Sequence, residues 1–516
     1  MDREANIDSI RALDEEIIKL KRTRNSLLNV STRVPPEILG RIFAWTLVRD
    51  PSFPLFSGFQ KRSHNFLLVC HHWFEVASRT PEVWSFWGNT LQEWKKRHHR
   101  SETTPLDLVL DGYKCGPDDR CDGSLHSAVR ARVIRGTIRR IHLRSDSSEI
   151  MASVISSLTP GDDDYVQNTN VESIVWQNGG AFIVDISNFF VRSNFPRLHL
   201  LNLLGTFRIS SWDHLASQTT LLTTLSLQIY RSPLSLTPTT SQLFSIFASN
   251  PNLQQLTLSE MALPSDANGS TLKVSLRNLK LLSLTGEFRY VFGLLRQLVL
   301  PEALDTMHLT VTYPTVEDIS QTLGSYMQDR FRRDARFQGR LHVFSVAYPG
   351  STSVSVGVGT APPYARVSVV LPLPGEMERQ LLIGLVAPIP GECVVSFDFD
   401  SDMELPEEVF LMMPNIQKLH LLRAKLSEGF LQPNPDGPRA NTKLLPSLRS
   451  LWLEDVSLDD GDWDHLTRYL VHQTSDNQII SLEVTGDSPY MDPEVVCEVK
   501  DLVDELITTV ASPSSE

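Results

Sequence analysis

Cysteine is scarce in this chain: five residues, Cys70, Cys115, Cys121, Cys393 and Cys497, an odd number at irregular spacing with no CxxC pair. That pattern argues against a disulfide framework and a structural zinc site, and reads as buried or incidental thiols in a reducing compartment. Cys115 and Cys121 are near enough in sequence to bridge, but the five residues between them read better as a polar turn. Long apolar runs are missing too. No stretch approaches eighteen consecutive apolar residues, so no transmembrane helix is expected. The first ten residues, MDREANIDSI, are charged from the second and lack an apolar signal region, so no secretory leader is expected and an intracellular location, cytoplasmic or nuclear, follows. The sequon at Asn268-Gly269-Ser270 is then a chance match. Excess positive charge is also lacking. The formal net charge is −13, which argues against nucleic acid as a partner, because phosphate contacts need a basic face.

Catalytic signatures are equally thin. No P-loop, GxSxG, HExxH or GxGxxG occurs. Asp398, Asp400 and Asp402 alternate along a strand end, and alternation alone puts them on one solvated face, so a metal or glycosidase role is not favoured. His98-His99 stands in a basic run, Lys95 to Arg100, without further ligands at zinc spacing. That run and Arg330, Arg332, Arg333 and Arg336 read as solvated faces. No cofactor, metal site or catalytic residue is expected.

What is present is periodicity. Residues 7–30 read as one helix, with Ile10, Leu13, Ile17, Leu20, Leu27 and Val30 on a heptad stripe and Asp8 or Ser9 as its cap. A short coiled coil and a helix packed on the next module both fit, and the second is preferred because about three heptads make a weak isolated coil. Residues 34–48 form a second helical segment that opens on Pro35 and Pro36, where a missing N–H does no harm. Residues 66–78 repeat at helical period again, and Pro81 follows. From residue 138 a short motif recurs: apolar, two residues, apolar, one residue, apolar. It starts at Ile138, Val171, Leu198, Leu222, Leu253, Leu279 and Leu304, and returns at Ile416, Leu448 and Ile479. Within each block successive starts lie 24 to 33 residues apart, the period of a solenoid. Weaker strands at 341–346, 367–371 and 394–399 fill the gap between the blocks, and helical segments such as 242–248, 407–413 and 464–471 alternate with the strands. Loops at 159–170 and 427–443 are expected to project from the array, and the last residues to be disordered.

Four pieces in order then carry a resemblance: Val34-Pro35-Pro36-Glu37-Ile38-Leu39, the pair Ile42-Phe43, Val69-Cys70-His71-His72-Trp73, and Pro81-Glu82-Val83-Trp84. Together they resemble an F-box, of the type common in mushroom-forming fungi. The later motif resembles a degenerate leucine-rich repeat in which Met261, Ala424 and Val456 stand at the usual Asn position, so an irregular arc is expected. The fold class this implies is α/β: an N-terminal heptad helix (1–32), an F-box-like helical module (33–100), an irregular leucine-rich-repeat-like solenoid (101–510) with a parallel strand ladder and helices on its convex side, and a short tail (511–516). The resemblance implies a non-enzymatic, substrate-recruiting adaptor of a Skp-cullin-F-box ubiquitin ligase. Its partners would be a Skp-family adaptor, through it a cullin, and a substrate protein. Pro35, Ile38, Leu39, Ile42, Phe43, Val69, Cys70, Trp73 and Trp84 would form the docking surface or its immediate support. The alternative is a repeat scaffold in which the helical module is only a cap; an enzyme on a solenoid is the third reading.

Overall fold

The computed structural model describes residues 2–28, 34–47, 65–87, 104–111, 137–159, 170–210, 212–229, 237–259, 273–301, 304–312, 325–326, 328, 339–348, 351–358, 365–371, 377–387, 389, 391–400, 406–424, 445–456, 460–474, 479, 481–486 and 493–510. The chain is mixed α/β and divides into two compact units, Met1–Leu225 with Ile229–Thr237, and Ser226–Gln228 with Pro238–Glu516. No helix among the described residues is long and apolar enough to cross a membrane.

The first unit opens with α1 (Asp2–Leu28), which starts six residues before the predicted cap Asp8. Asp2 and Glu4 near its N-terminus favour that earlier start through the helix dipole. From Ile10 to Arg24 every residue of α1 is exposed, so over these residues the apolar stripe is not packed on the next module as expected. Next come α2 (Pro36–Leu47), a 3-10 turn (Asn65–Leu68), α3 (His71–Arg79) and a second 3-10 turn (Pro81–Trp84). The helix expected over 66–78 is therefore two pieces, broken because Cys70 is extended and caps α3.

A parallel ladder follows: β1 (Phe86–Trp87), β2 (Leu106–Asp111), β3 (Ile138–Ser145), α4 (Ser148–Leu158), β4 (Ser173–Asn178), β5 (Val184–Asp185), α5 (Ser187–Arg192), β6 (Leu200–Gly205), β7 (Phe207–Arg208), α6 (Trp212–Gln218) and β8 (Thr224–Ile229). β1, β2, β3, β4 and β6 pair in that order, all parallel, and the Thr224 N–H donates to the His199 carbonyl at 3.0 Å. Each recurrence of the sequence motif supplies one strand. Register lines up Leu108, Ile141, Ile174 and Leu201, and beside them Leu110, Leu143, Trp176 and Leu203, and all eight are buried. The intervening helices close that face: α4 packs on β3 and β5 and buries Met151, Val154, Ile155 and Leu158. Phe189, Phe190 and Phe207 crowd around Trp176 at centroid distances of 4.9, 6.1 and 6.4 Å.

The second unit contains α7 (Thr240–Ser249), β9 (Gln255–Ser259), β10 (Val274–Ser275), β11 (Leu281–Glu287), α8 (Phe288–Gln297), β12 (Leu298–Val299), β13 (Thr306–Thr312), β14 (Gly339–Tyr348), β15 (Ser351–Val358), β16 (Ala365–Leu371), α9 (Met377–Val386), β17 (Val394–Asp400), α10 (Glu407–Leu411), β18 (Lys418–Leu422), β19 (Ser450–Glu454), α11 (Asp460–Thr474), β20 (Ser481–Gly486), α12 (Pro493–Lys500) and β21 (Glu505–Val510). β9, β11 and β13 are parallel neighbours, as are β17 to β21. Between the two runs the expected parallel order fails. β13 pairs with β16, β16 with β15 and β15 with β14, before β14 meets β17. β15 is antiparallel to both of its neighbours, so a hairpin is set into an otherwise parallel ladder. In place of an asparagine ladder, Arg423 and Asp455 take left-handed backbone just past β18 and β19. Their N–H groups donate to the carbonyls of Glu454 and Thr485 at 2.8 and 3.0 Å. Residues 160–169 of the loop expected at 159–170, the loop expected at 427–443, the tail 511–516, the basic run 95–100, Arg330, Arg332, Arg333 and Arg336, and Cys115 and Cys121 lie outside the described residues.

Candidate functional site

The α2–α3 module is a small core with an unusual amount of apolar surface outside it. Pro35 starts α2 by accepting from the N–H groups of Ile38 and Leu39, both at 3.0 Å. Helical spacing then separates two faces. Leu39 and Phe43 point inward and join Val76, Ala77, Val83 and Trp84 in one buried cluster. Phe43 and the partly buried Trp73 lie 5.0 Å apart at 57°, a tilted aromatic pair. The indole N–H of Trp84 donates to the Ala77 carbonyl at 2.7 Å, which ties the second 3-10 turn to the end of α3. Cys70 caps α3: its Sγ accepts from the Trp73 N–H at 3.5 Å. Gly40 sits where α2 meets Thr80, and a Cβ there would come within 2.6 Å of the Thr80 hydroxyl, which holds the two elements close.

The other face is exposed. Ile38, Ile42 and Trp45, four and three residues apart on α2, are 46, 48 and 80% exposed. Leu68, Val69 and Phe74 are 84, 56 and 44% exposed. Of the nine residues singled out from sequence, Leu39, Phe43 and Trp84 are therefore interior support, Trp73 is half-buried beside them, and Cys70 is a cap. Pro35, Ile38, Ile42 and Val69 are on the surface. Sequence reading missed Trp45, Leu68 and Phe74. Trp45 could have been found, since it continues the stripe begun by Ile38 and Ile42.

The module runs directly into the strands. The Asp107 N–H donates to the Ser85 carbonyl at 2.8 Å, and Phe86 pairs with Asp107 across β1 and β2. A cleft of about 620 Å³ lies at this junction, lined by Arg41, Trp45, Arg79, Glu82, Asp107 and Arg139 among others. Arg139 is fixed there by two bonds to Asp107, at 2.9 and 2.8 Å, and those bonds raise its pKa against the opposing effect of burial.

A second polar group lies on the strands of the second unit. Asp398, His420 and Trp452 share one register line, on β17, β18 and β19. His420 stacks on Trp452 at 3.9 Å and 9°. Its Nε2 is 3.0 Å from Glu454 and its Nδ1 3.6 Å from Asp398. Arg423 donates to Asp400. Asp398 and Asp400 share one partly exposed face, where they pair with His420 and Arg423, and Asp402 lies outside the described residues. The two carboxylates approach opposite nitrogens of the imidazole, so they do not converge on a metal position. Among the described residues no group of three His, Cys, Asp or Glu is placed to hold a metal ion. Neither a protein-family model nor a curated protein matches the chain.

Proposed function

We propose that the chain is a substrate-recruiting adaptor of a Skp-cullin-F-box ubiquitin ligase. The α2–α3 module would act as the F-box and the strand–helix ladder as a leucine-rich-repeat-like substrate-binding solenoid. One observation carries the reading: the four F-box-like pieces come from a module that buries Leu39, Phe43 and Trp84 yet leaves Ile38, Ile42, Trp45, Leu68, Val69 and Phe74 exposed. A Trp at the end of an exposed aliphatic stripe is the composition of a helix-in-groove anchor. A Skp-family adaptor is the partner that the motif order implies, and a cullin follows through it.

A second reading is favoured by the pairing of β1 with β2, which makes the helical module the end of the ladder. The chain would then be a repeat scaffold and the module its cap. Capture of purified Skp-type adaptor by the full-length chain separates the two. Binding that is lost in an Ile38→Asp, Ile42→Asp variant of unchanged melting temperature supports the ligase reading. A folded wild-type chain that captures no adaptor leaves the scaffold. Leu39 and Phe43 are unsuitable test positions, because a charge there would unfold the module that presents the surface.

A further inference from the structure

Helix α1 is not used by the adaptor reading, and its surface is not that of a solvated spacer. Ile10, Leu13, Ile17 and Leu20 are 58, 58, 44 and 64% exposed. Their spacing of three, four and three puts them on one narrow stripe, the seam of a two-helix coil. Charge along the helix is segregated. Residues 2–16 hold six acidic side chains (Asp2, Glu4, Asp8, Asp14, Glu15, Glu16) and two basic ones (Arg3, Arg11), a formal −4. Residues 17–28 hold Lys19, Lys21, Arg22 and Arg24 with no acid, a formal +4. The helix dipole does not account for this, since its influence ends within the first and last turns and Asp14, Glu15 and Glu16 lie mid-helix.

We propose that α1 is a self-association helix whose partner is α1 of a second copy of this chain, packed antiparallel. One register satisfies both stripe and charge. It sets Ile10 opposite Leu27, Leu13 opposite Arg24 and Ile17 opposite Leu20. Asp14, Glu15 and Glu16 then lie level with Thr23, Arg22 and Lys21 of the other helix, twice over by symmetry. A parallel pair would instead set −4 beside −4 and +4 beside +4, and would face Arg24 with Arg24 inside the seam. The aliphatic stem of Arg24 covers Leu13 in the antiparallel pair while its head reaches water. The isologous contact closes on itself, so it gives a dimer and not a filament.

Light scattering on the eluting full-length chain at tens of micromolar reads the association. A mass of twice 58.1 kDa is expected. The Leu13→Asp, Ile17→Asp variant should elute at the single-chain mass, and Arg24→Leu, which completes the apolar seam, should hold the dimer at several-fold lower concentration. Orientation is read by oxidation: a mixture of Ile10→Cys and Leu27→Cys chains should cross-link above the parent chain's level, while Ile10→Cys alone should not. A wild-type mass of 58.1 kDa that Arg24→Leu does not raise would falsify the proposal. So would a dimer that survives Leu13→Asp, Ile17→Asp. Self-cross-linking of Ile10→Cys would overturn the antiparallel arrangement.

Discussion

His142 is only 3% exposed on β3, with Nε2 3.0 Å from the Ser173 hydroxyl and, among the described residues, no partner for Nδ1. Burial, aided by Arg140 and opposed by Asp107, pushes its pKa down from 6.5 to about 4. Between those values the unfolded chain takes a proton that the folded chain refuses. The neutral imidazole's stabilisation is therefore complete above pH 6.5 and is lost as pH falls toward 4, by about 3 kcal/mol in all. A His142→Leu variant should show a shallower fall of melting temperature between pH 6.5 and 4 than the wild type. Identical slopes would remove His142 as a source of acid sensitivity. Gly205 is the other residue with a sharp requirement. Its φ is +118°, and an added Cβ would lie 2.0 Å from the Asn178 carbonyl oxygen. Asn178 is itself buried at the strand end, where its amide donates to the carbonyls of Phe182 and Thr206. Gly205→Ala should cost at least about 2 kcal/mol in urea unfolding of the first unit; a loss below half of that would mean that the turn relaxes freely.

At the scale of elements, α2 offers the cleanest separation of stability from surface. Leu39→Ala empties part of a closed core and should cost about 2–5 kcal/mol, whereas Ile38→Ala and Ile42→Ala remove exposed atoms and should stay within about 0.5 kcal/mol. Chemical denaturation of the three variants checks this, and equal losses would mean that the two faces are not distinct. Periodicity made α2 readable because both faces carry apolar residues at helical spacing. It failed over 66–78 because the break is set by Cys70, whose thiol is a weak acceptor and not one of the side chains that flag a helix start. The strand expected at 341–346 is the core of β14, whereas its antiparallel partner β15 was not expected. Pro349-Gly350 is a turn dipeptide, and Ser353, Val354, Ser355 and Val356 alternate in strand fashion on one side of it. The recurring motif marks parallel strands, and an antiparallel strand such as β15 does not repeat it.

For the whole chain, the ladder was visible in sequence because each parallel strand must supply two inward apolar residues at spacing two, and the preceding turn a third. Leu253, Leu256 and Leu258 do this, as do Leu448, Leu451 and Leu453, and all six are buried. What joins strands on the opposite face carries no such period. Asp398, His420, Trp452 and Glu454 come from three strands, each one repeat apart, and only register brings them together. Their coupling has a measurable sign. Burial works against charge on His420, but its bonds to Asp398 and Glu454 outweigh that, so its pKa is raised above 6.5. The protonated imidazole then stabilises the second unit fully below pH 6.5, and that stability is lost as pH rises through the raised folded value. This is opposite in direction to His142 of the first unit. Hydrogen exchange, corrected for intrinsic rate and read separately on peptides from β17–β20 and β3–β6, should resolve the two. Protection of β17–β20 should fall with rising pH in the wild type and lose that dependence in His420→Gln, while β3–β6 should weaken only on acidification. If His420→Gln leaves the alkaline fall in β17–β20 unchanged, the carboxylates are not holding a charged imidazole, and the stacked pair with Trp452 is a neutral contact.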